Sequence, residues 1–173
     1  MLPKIIQNFL NKNKIKYELI EHRTVYAATD KAATLAVSPG KITPAMVGKT
    51  VIVSLDNKDY ALGLIPANKN LDKNKVLAAF SKLRQKKEKK SYKKIDFATE
   101  KWMKANLKGV KLGATPPLGV FYHLPFFIDN ILAKQSKIIV NAGEYELSLK
   151  LSPASLIKLN LDTAKGSFSM AKK

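Results

Sequence analysis

The stretch GKTVIVSLDNKDYALGLIP occupies residues 48–66 and contains two apolar, β-branched runs separated by a polar turn. The runs extend from Thr50 to Leu55 and from Tyr60 to Ile65, with Asp, Asn, Lys and Asp between them. This pattern is typical of two antiparallel strands joined by a tight connection. We therefore expect a β-hairpin in this stretch.

On the N-terminal side of the hairpin, the spacing of apolar residues predicts a short helix over residues 3–10 and a strand from Tyr17 to Ile20. An alanine-rich segment from Asp30 to Val37 predicts a second short helix. The chain from there to Gly48 is expected to be a loop with one turn near Pro44.

On the C-terminal side, helical spacing predicts a helix from Leu71 to Leu83 and another from Phe97 to Leu107. In the second of these, Phe97, Trp102 and Met103 are candidate core residues. A turn at Ala142 and Gly143 joins two of the strands expected beyond Gly109. The three expected strands are Pro125–Ile128, Lys137–Asn141 and Glu144–Leu149.

A last helix is expected from Ser152 to Leu159, with Ser152 as N-cap and Pro153 at the first helical position. The tail from Asp162 is expected to be frayed. Hairpins mixed with unequal helices, without a repeating βαβ rhythm, predict an α+β domain around a largely antiparallel sheet or barrel. We assign residues 1–160 to one domain and 161–173 to a basic, polar tail.

The composition is strongly basic, with 31 Lys and Arg against 13 Asp and Glu and a net charge of +18 over 173 residues. Such an excess attracts polyanions, which makes nucleic acid or an anionic membrane the expected partner. A basic proteome background is the alternative explanation. The chain has no cysteine and no run of about 18 apolar residues, so we expect a soluble, cytoplasmic, RNA-facing protein without disulfides.

Familiar catalytic signatures are absent from the sequence. There is no Gly-x-Ser-x-Gly elbow, His-Glu-x-x-His helix, phosphate-binding Walker loop or Gly-x-Gly-x-x-Gly motif. The two histidines, His22 and His123, are too few to build most metal sites or triads alone. An enzyme of this sequence would depend on backbone dipoles, a lysine and groups of its own substrate.

Three local features are candidates for a site. Lys49 precedes a buried strand and can offer a compact positive charge to a phosphate or oxyanion, or be a solvated strand-edge lysine. The stretch Gly113–Gly119, GATPPLG, is either a stiff loop that exposes amides to a ligand or only a rigid turn. The turn Asn141–Glu144 can offer amides to an anion, or be only a hairpin.

A run of lysines follows the helix predicted to end at Leu83. Its members surround Glu88, with Tyr92 interleaved. The run is either a solvated helix end or a site that binds a phosphate backbone. Such binding would be independent of sequence, and its affinity would fall as the salt concentration rises. The lysines are Lys86, Lys87, Lys89, Lys90, Lys93 and Lys94.

In chain order, these features resemble the YbaK-type aminoacyl-tRNA deacylase superfamily, which includes the insertion domain of bacterial prolyl-tRNA synthetase. The similar stretch runs from about Asn13 to Asn160. Its most specific part is a Gly-x-x-x-Pro loop at Gly113 to Pro117. The other matching segments are Ile15–His22, Gly48–Val53, Ala61–Pro66, Leu71–Val76, Pro125–Asp129, Ala142–Gly143 and Leu156–Leu159.

The resemblance implies a barrel-like, mixed and mostly antiparallel sheet with flanking helices. It also implies hydrolysis of mischarged aminoacyl-tRNA, Ala- or Cys-tRNA(Pro), by a water molecule held by the substrate itself. Lys49 and Gly113 would be the catalytic residues, and the lysine run would bind tRNA. Substrate-binding roles are implied for His22, Thr115, Pro117, Asp129 and Gly143.

No metal or organic cofactor is expected. The expected partners are the acceptor end of a mischarged tRNA and a prolyl-tRNA synthetase, with no membrane and no DNA. The chain departs from the family in a longer connection over Ala36–Gly48 and in an enlarged lysine run over Lys82–Lys94. A non-catalytic RNA-binding module on the same fold and a basic ribosome-associated protein are the competing interpretations.

Overall fold

The computed structural model describes residues 1–23, 42–160 and 162–172. Strands β2 (Gly48–Leu55) and β3 (Asp59–Pro66) form the expected antiparallel hairpin. Asp56 and Asn57 have φ of 55° and 56°, and Lys58 N–H donates to the Leu55 carbonyl at 3.2 Å. These features define the tight turn whose twist suits a hairpin, and Asp and Asn tolerate its left-handed backbone. The hairpin prediction is confirmed.

The hairpin is the centre of a five-stranded sheet with the order β5-β2-β3-β6-β9. The pairs β5-β2 and β2-β3 are antiparallel, whereas β3-β6 and β6-β9 are parallel. The three strands added to the hairpin are β5 (Ile95–Phe97), β6 (Phe126–Asp129) and β9 (Ala164–Gly166).

A second sheet is antiparallel and has the order β1-β8-β7. A bridge between Val47 and Ile139 connects it to the start of β2. Two short strands form a third, antiparallel sheet. The strands of these sheets are β1 (Tyr17–Glu21), β4 (Lys69–Leu71), β7 (Ile138–Asn141), β8 (Leu147–Leu151) and β10 (Ser169–Ala171).

Five α-helices flank the sheets in the described part of the chain. Four of them begin at residues whose side chains accept a backbone N–H, which is the ordinary way to satisfy a helix start: Asp72, Thr99, Asp129 and Ser152. Two 3-10 turns lie at Pro44–Met46 and Val120–Tyr122. The helices are α1 (Lys4–Lys12), α2 (Lys73–Lys86), α3 (Glu100–Asn106), α4 (Asn130–Ala133) and α5 (Pro153–Leu159).

The five-stranded sheet separates two apolar cores because successive side chains of a strand point to opposite faces. One face carries Ile52, Leu64 and Ile128, which join the larger core with α1 and the three-stranded sheet. The other face carries Val53 and Phe127, which pack in the smaller core against α2 and Phe168.

The α+β, mostly antiparallel architecture is therefore as predicted, although no closed barrel forms within residues 1–23, 42–160 and 162–172. The helix predicted over Asp30–Val37 lies outside the described residues. The strand expected from Glu144 begins at Leu147. Among the described residues, no helix has both the length and the apolar character needed to cross a bilayer.

Three sequence predictions are wrong. Phe97 is not a core residue, because it ends the edge strand β5 and half of its surface, 50%, is exposed. Leu71 belongs to β4, and the helix starts only after Asp72. The tail from Asp162 is not frayed, since its strands β9 and β10 pair with β6 and β4 and Phe168 is buried between them.

Candidate active site

An irregular segment over residues 109–119 connects α3 to the second half of the domain. Gly109 and Gly113 have φ of 86° and 84°, a backbone conformation that favours glycine. Ala114 N–H donates to the Lys111 carbonyl at 3.0 Å, which closes a turn around Gly113. Residues 114–119 are all buried, so this segment is a fixed part of the domain.

The segment is bonded to the turn that follows β7. The N–H of Gly143 donates to the Ala114 carbonyl at 2.7 Å, and the Lys111 N–H donates to the Gly143 carbonyl at 2.9 Å. The Tyr145 hydroxyl donates to the Leu112 carbonyl at 2.7 Å. An ion pair of 3.0 Å between Lys111 and Glu144 closes the contact and raises the pKa of Lys111. Two features that the sequence predicted separately are therefore one structural unit.

A cavity of about 340 Å³ lies between this unit and the hairpin, and we call it the Thr50 cavity. Helix α3 forms one wall and is positioned by Trp102, whose ring stacks on Tyr60 at 3.9 Å. The volume is in the range of small-molecule pockets, and the lining is mostly apolar. The lining residues are Thr50, Val51, Ile52, Phe97, Ala98, Met103, Leu112, Gly113 and Thr115.

Three polar groups of this cavity have no partner within the described part of the chain. The Thr50 hydroxyl is buried and makes no hydrogen bond. The backbone N–H groups of Gly113 and Thr115 have no acceptor among the described residues, whereas the N–H of Ala114 between them is used by the turn. Gly113 is exposed, whereas Thr115 and the Thr50 hydroxyl are buried, and buried polar groups without a partner are costly and are frequent where a ligand is bound.

A second cavity of about 280 Å³ shares Met103, Leu112 and Thr115 with the first. Three lysines line it: Lys104, Lys108 and Lys111. Lys104 and Lys111 are paired with Glu100 and Glu144. Of the three lysines, Lys108 alone forms no salt bridge within the described part of the chain, so the second cavity adds one uncompensated cation beside the Thr50 cavity.

Lys49 does not line the Thr50 cavity. It pairs with Ile65 across the hairpin, and the pleat turns its side chain to the face opposite Thr50. Burial, with a smaller contribution from Lys172, lowers the pKa of Lys49. On the side away from β3, β2 forms no ladder pair at residues 49–51 within the described residues, although β7 lies close to β2 and bridges to Val47 just before it.

His22 lies at the end of β1 and does not line the Thr50 cavity. Its Nδ1 is 2.8 Å from the Arg23 carbonyl, which can only accept, so Nδ1 carries a proton. Its Nε2 is 2.9 Å from the hydroxyl of buried Ser148 in β8. The ring is therefore held in place by both nitrogens.

Asp129 has a structural role in the described chain. One carboxylate oxygen caps α4 by accepting from Ile131 N–H at 2.8 Å. The other accepts from Phe168 N–H at 2.9 Å and from the Ser169 hydroxyl at 2.8 Å. Asp129 thus closes the C-terminal segment onto the sheet, on the face away from the Thr50 cavity. Pro117 is buried behind the cavity wall and does not line it.

The lysine run forms an ordered surface segment. Glu88 has a φ of 57° at the end of α2, where Lys89 N–H donates to the Arg84 carbonyl at 3.0 Å. The backbone N–H groups of Lys93 and Lys94 donate to one oxygen of Asp56, at 2.9 and 2.8 Å. Lys86, Lys87, Lys89, Lys90, Lys93 and Lys94 are exposed.

Tyr92 fixes this segment to the hairpin. Its hydroxyl donates to Asp59 at 2.5 Å, and the Arg84 guanidinium lies 4.4 Å from its ring centroid and 3.4 Å from the Asp59 carboxylate. Burial and the bond to Asp59 raise the pKa of Tyr92. Sequence reasoning assigned Asp56 and Asp59 only to a turn and missed that they also anchor the lysines.

Sequence reasoning also missed Thr50. The available signal was a hydroxyl residue directly after Lys49 at the start of a mostly apolar strand. In the described part of the chain, no group of three or more His, Asp or Glu side chains is arranged to hold a metal ion.

The aminoacyl-tRNA editing domain family matches residues 22–159, and the chain belongs to that family. No curated protein matches the chain in sequence.

The similar solved structures share the fold at low sequence identity. One is a candidate trans-editing enzyme for prolyl-tRNA synthetase, with a TM-score of 0.71, 19% identity and coverage of 98% of this chain and 97% of that chain. Another, described as a hypothetical protein, has a TM-score of 0.72, 19% identity and coverage of 95% and 99%. A candidate signal transduction protein from Marinobacter aquaeolei VT8 has a TM-score of 0.64 and 17% identity, and the match covers 98% of this chain but 31% of that one.

Proposed function

We propose that this protein is a trans-editing hydrolase that removes a wrong amino acid, alanine or cysteine, from proline tRNA. Membership of the aminoacyl-tRNA editing family supports deacylation of tRNA as the general activity. The similar structure described as a candidate trans-editing enzyme for prolyl-tRNA synthetase supports the choice of tRNA and of that synthetase as a partner.

The observation that carries the proposal is the Thr50 cavity with its three unpartnered polar groups. We infer that the N–H groups of Gly113 and Thr115 donate to the ester carbonyl. Water adds to the carbonyl carbon, and the two donors stabilise the oxyanion that forms. One such donor contributes roughly 3–4 kcal/mol to lowering the barrier. The ester C–O bond then breaks, and the proton released by the water ends on the ribose oxygen that leaves.

The attacking water needs no protein base in this scheme. An aminoacyl ester is already activated, and a neighbouring ribose hydroxyl can hold the water beside the carbonyl carbon. The Thr50 hydroxyl is suited to bind the amino group or the water, because it is buried without a partner. These assignments would make Gly113, Thr115 and Thr50 the groups that contact the reacting atoms.

For Lys49 we propose binding of the terminal adenosine or its phosphate at the edge of β2 that has no ladder partner at residues 49–51. The side chain is long enough to extend past a strand edge, and its ammonium is a compact charge for an anion. Gly143 supports the loop through its bond to Ala114. His22 and Asp129 are proposed to support the site rather than to contact the ester.

Selection by size is consistent with a cavity of about 340 Å³ that has apolar walls. A difference of one methylene in an apolar pocket contributes only about 1–3 kcal/mol to the discrimination between two amino acids. A synthetase that confuses proline with a smaller amino acid therefore benefits from a second site that selects by size and hydrolyses the wrong product.

The test is deacylation of Ala-tRNA(Pro), Cys-tRNA(Pro) and Pro-tRNA(Pro) by the wild-type protein and by Lys49→Ala, Lys49→Arg and Thr50→Val variants. Release of alanine or cysteine but not proline, with loss in Thr50→Val and Lys49→Ala, is the expected result. A wild-type protein that leaves every charged tRNA intact would overturn the proposal.

A second function has its own supporting observation. The ordered lysine run and the net charge of +18 are also suited to a non-catalytic RNA-binding module on this fold. Tight tRNA binding without turnover on a wide panel of charged tRNAs would identify that module.

A further inference from the structure

A cavity far from the Gly113 loop carries a second inference. It has a volume of about 620 Å³ and lies where α1 leads into β1, beside the start of β7 and helix α5. We call it the Lys158 groove. Its polar lining includes Lys14, Lys16, Lys137, Lys158, Ser152 and Ser155.

The charge of the groove has one sign. Four lysines and no acidic residue line it, and all four lysines are exposed. Within the described part of the chain, none of the four forms a salt bridge. Like charges gathered in a concavity raise the local positive potential and attract anions to it.

The groove also offers neutral hydrogen-bonding groups above an apolar floor. The Ser152 oxygen accepts from Ala154 N–H at 3.2 Å, which leaves its hydroxyl proton available to an acceptor. The floor contains Ile15 and Leu159. Lys14 has a φ of 55°, where glycine or asparagine is more favourable, so this lysine is placed against a local backbone preference.

The three-stranded sheet fixes the position of the groove relative to the candidate active site. At one end of the sheet, Leu151 pairs with Tyr17 and Ile138, next to the groove residues Lys16, Lys137 and Ser152. At the other end, Ser148 pairs with Asn141, which leads into the turn at Gly143.

The groove residues Lys137 and Ser152 lie four residue steps along the chain from Asn141 and Ser148, so the sheet separates the groove from the start of the Gly143 turn by roughly 13–14 Å. Successive phosphates of one strand of duplex DNA are separated by about 3.4 Å along the axis, so a distance of this size spans several nucleotides of a nucleic acid strand.

We propose that the Lys158 groove binds backbone phosphates of the tRNA acceptor arm, several nucleotides from the ester bound in the Thr50 cavity. This inference rests on the proposed function, because it takes the RNA from that function. It assigns a binding surface separate from the lysine run after α2.

The experiment measures binding of an uncharged tRNA acceptor-stem minihelix at several salt concentrations. The double variant Lys137→Glu and Lys158→Glu is compared with a matched double variant, Lys75→Glu and Lys165→Glu, which changes the net charge equally at exposed lysines outside the groove. The groove variant is expected to weaken binding by about tenfold or more near 0.1 M salt. Its slope of log K against log salt should flatten by roughly 0.9 for each phosphate that the variant no longer neutralises.

A second measurement separates this inference from the proposed function. Deacylation of an aminoacylated minihelix by the groove variant should show a raised KM with an unchanged kcat. Deacylation of an aminoacyl-adenosine, which is too short to reach the groove, should be unaffected. Thermal unfolding of both double variants checks that the fold is intact.

Equal affinities and salt slopes for the groove and control variants would overturn the groove proposal, even if deacylation is observed. Absence of deacylation with a groove-specific loss of minihelix binding would overturn the proposed function and leave the RNA groove in place. Loss of binding to anionic phospholipid vesicles, with minihelix binding unchanged, would replace RNA by a lipid surface.

Discussion

The N–H of Gly143 donates a hydrogen bond of 2.7 Å to the carbonyl oxygen of Ala114, although 28 residues lie between them in the chain. This bond holds the loop with the two free N–H groups against the end of β7. Loop shape at the candidate active site is therefore set by the three-stranded sheet, and a change on either side of the bond should alter the chemistry of the other.

Gly113→Ala is expected to lower kcat for deacylation by about ten- to a hundredfold with little change in KM. Its φ of 84° suits glycine, and a side chain there rotates the peptide groups that carry the two donors. Steady-state kinetics on Ala-tRNA(Pro) checks this. Gly166→Ala is the matched control, because its new Cβ would lie 2.9 Å from the Phe168 ring in the other core and leave the loop intact. Equal kcat losses in both variants would contradict a specific role for Gly113.

Thr50→Val is expected to change stability and activity in opposite directions. Removing a buried hydroxyl that has no partner should leave the free energy of unfolding unchanged or raise it by about 1 kcal/mol. Deacylation should fall by about tenfold, since a hydrogen bond to the substrate or water is lost. Urea unfolding and kinetics of the same preparations test both statements. Thr50→Ser should retain most of the activity, and a fully active valine variant would exclude the hydroxyl from the reaction.

Asp129→Ala is expected to destabilise the protein by about 3 kcal/mol. The carboxylate is 1% exposed, and its loss leaves the N–H groups of Ile131 and Phe168 without acceptors. Amide hydrogen exchange over residues 164–171 should accelerate far more than exchange in the hairpin. Ser169→Ala removes a single hydrogen bond and should cost about 1 kcal/mol. Unchanged exchange at the C-terminal strands would contradict this role of Asp129.

The anchoring of the lysine run by Asp56 should depend on pH. Desolvation raises the pKa of Asp56, but the N–H groups of Lys93 and Lys94 outweigh it and hold the pKa below its ordinary value of 3.8. The anionic form therefore stabilises the fold above pH 3.8, and this contribution is lost as pH falls through the lower, folded-state pKa. Urea unfolding of wild type and Asp56→Asn from pH 7 to pH 3 should show a stability difference that shrinks below about pH 4. A constant difference would mean that the charge of Asp56 is not involved.

Reversal of Lys86, Lys87, Lys89 and Lys90 to Glu should weaken tRNA binding and flatten its salt dependence. These side chains are exposed on an ordered segment, so the effect should appear without loss of the fold. Fluorescence anisotropy with labelled tRNA at several salt concentrations measures both quantities. Unchanged affinity and slope would identify the run as solvated surface.

The sequence predicted the hairpin and the helix starts that depend on interactions between residues close together in the chain. The β2-β3 hairpin follows from β-branched runs around an Asp-Asn turn, and Ser152 marks the start of α5 as a capping residue. The Gly-Pro loop and the Gly143 turn were also recognised in sequence, because glycine is needed where φ is positive. Their contact is not visible in sequence, since it depends on the pairing of distant strands.

The features that the sequence did not predict depend on long-range packing. Strands β5, β9 and β10 have three residues each, too few for a periodic pattern. The tail from Asp162 is small and polar, and only Phe168 and the distant Asp129 bring it into the sheets. Likewise, the choice between Lys49 and Thr50 for the cavity depends on which face of β2 meets the Gly113 loop, and that is decided by the register with β3.

Strand β8 fixes the distance between the Lys158 groove and the Gly143 turn, because a β-strand of five residues cannot stretch. Two weak binding sites at the ends of a rigid spacer act as one bivalent receptor, and a ligand held at the first site meets the second at an effective concentration in the millimolar range or above. An RNA long enough to span both sites should then have a much higher affinity than a fragment that reaches only one of them. Free aminoacyl-adenosine would occupy only the Thr50 cavity. Lengthening β8 by two residues would keep its side chains on their original faces but break this match of distances.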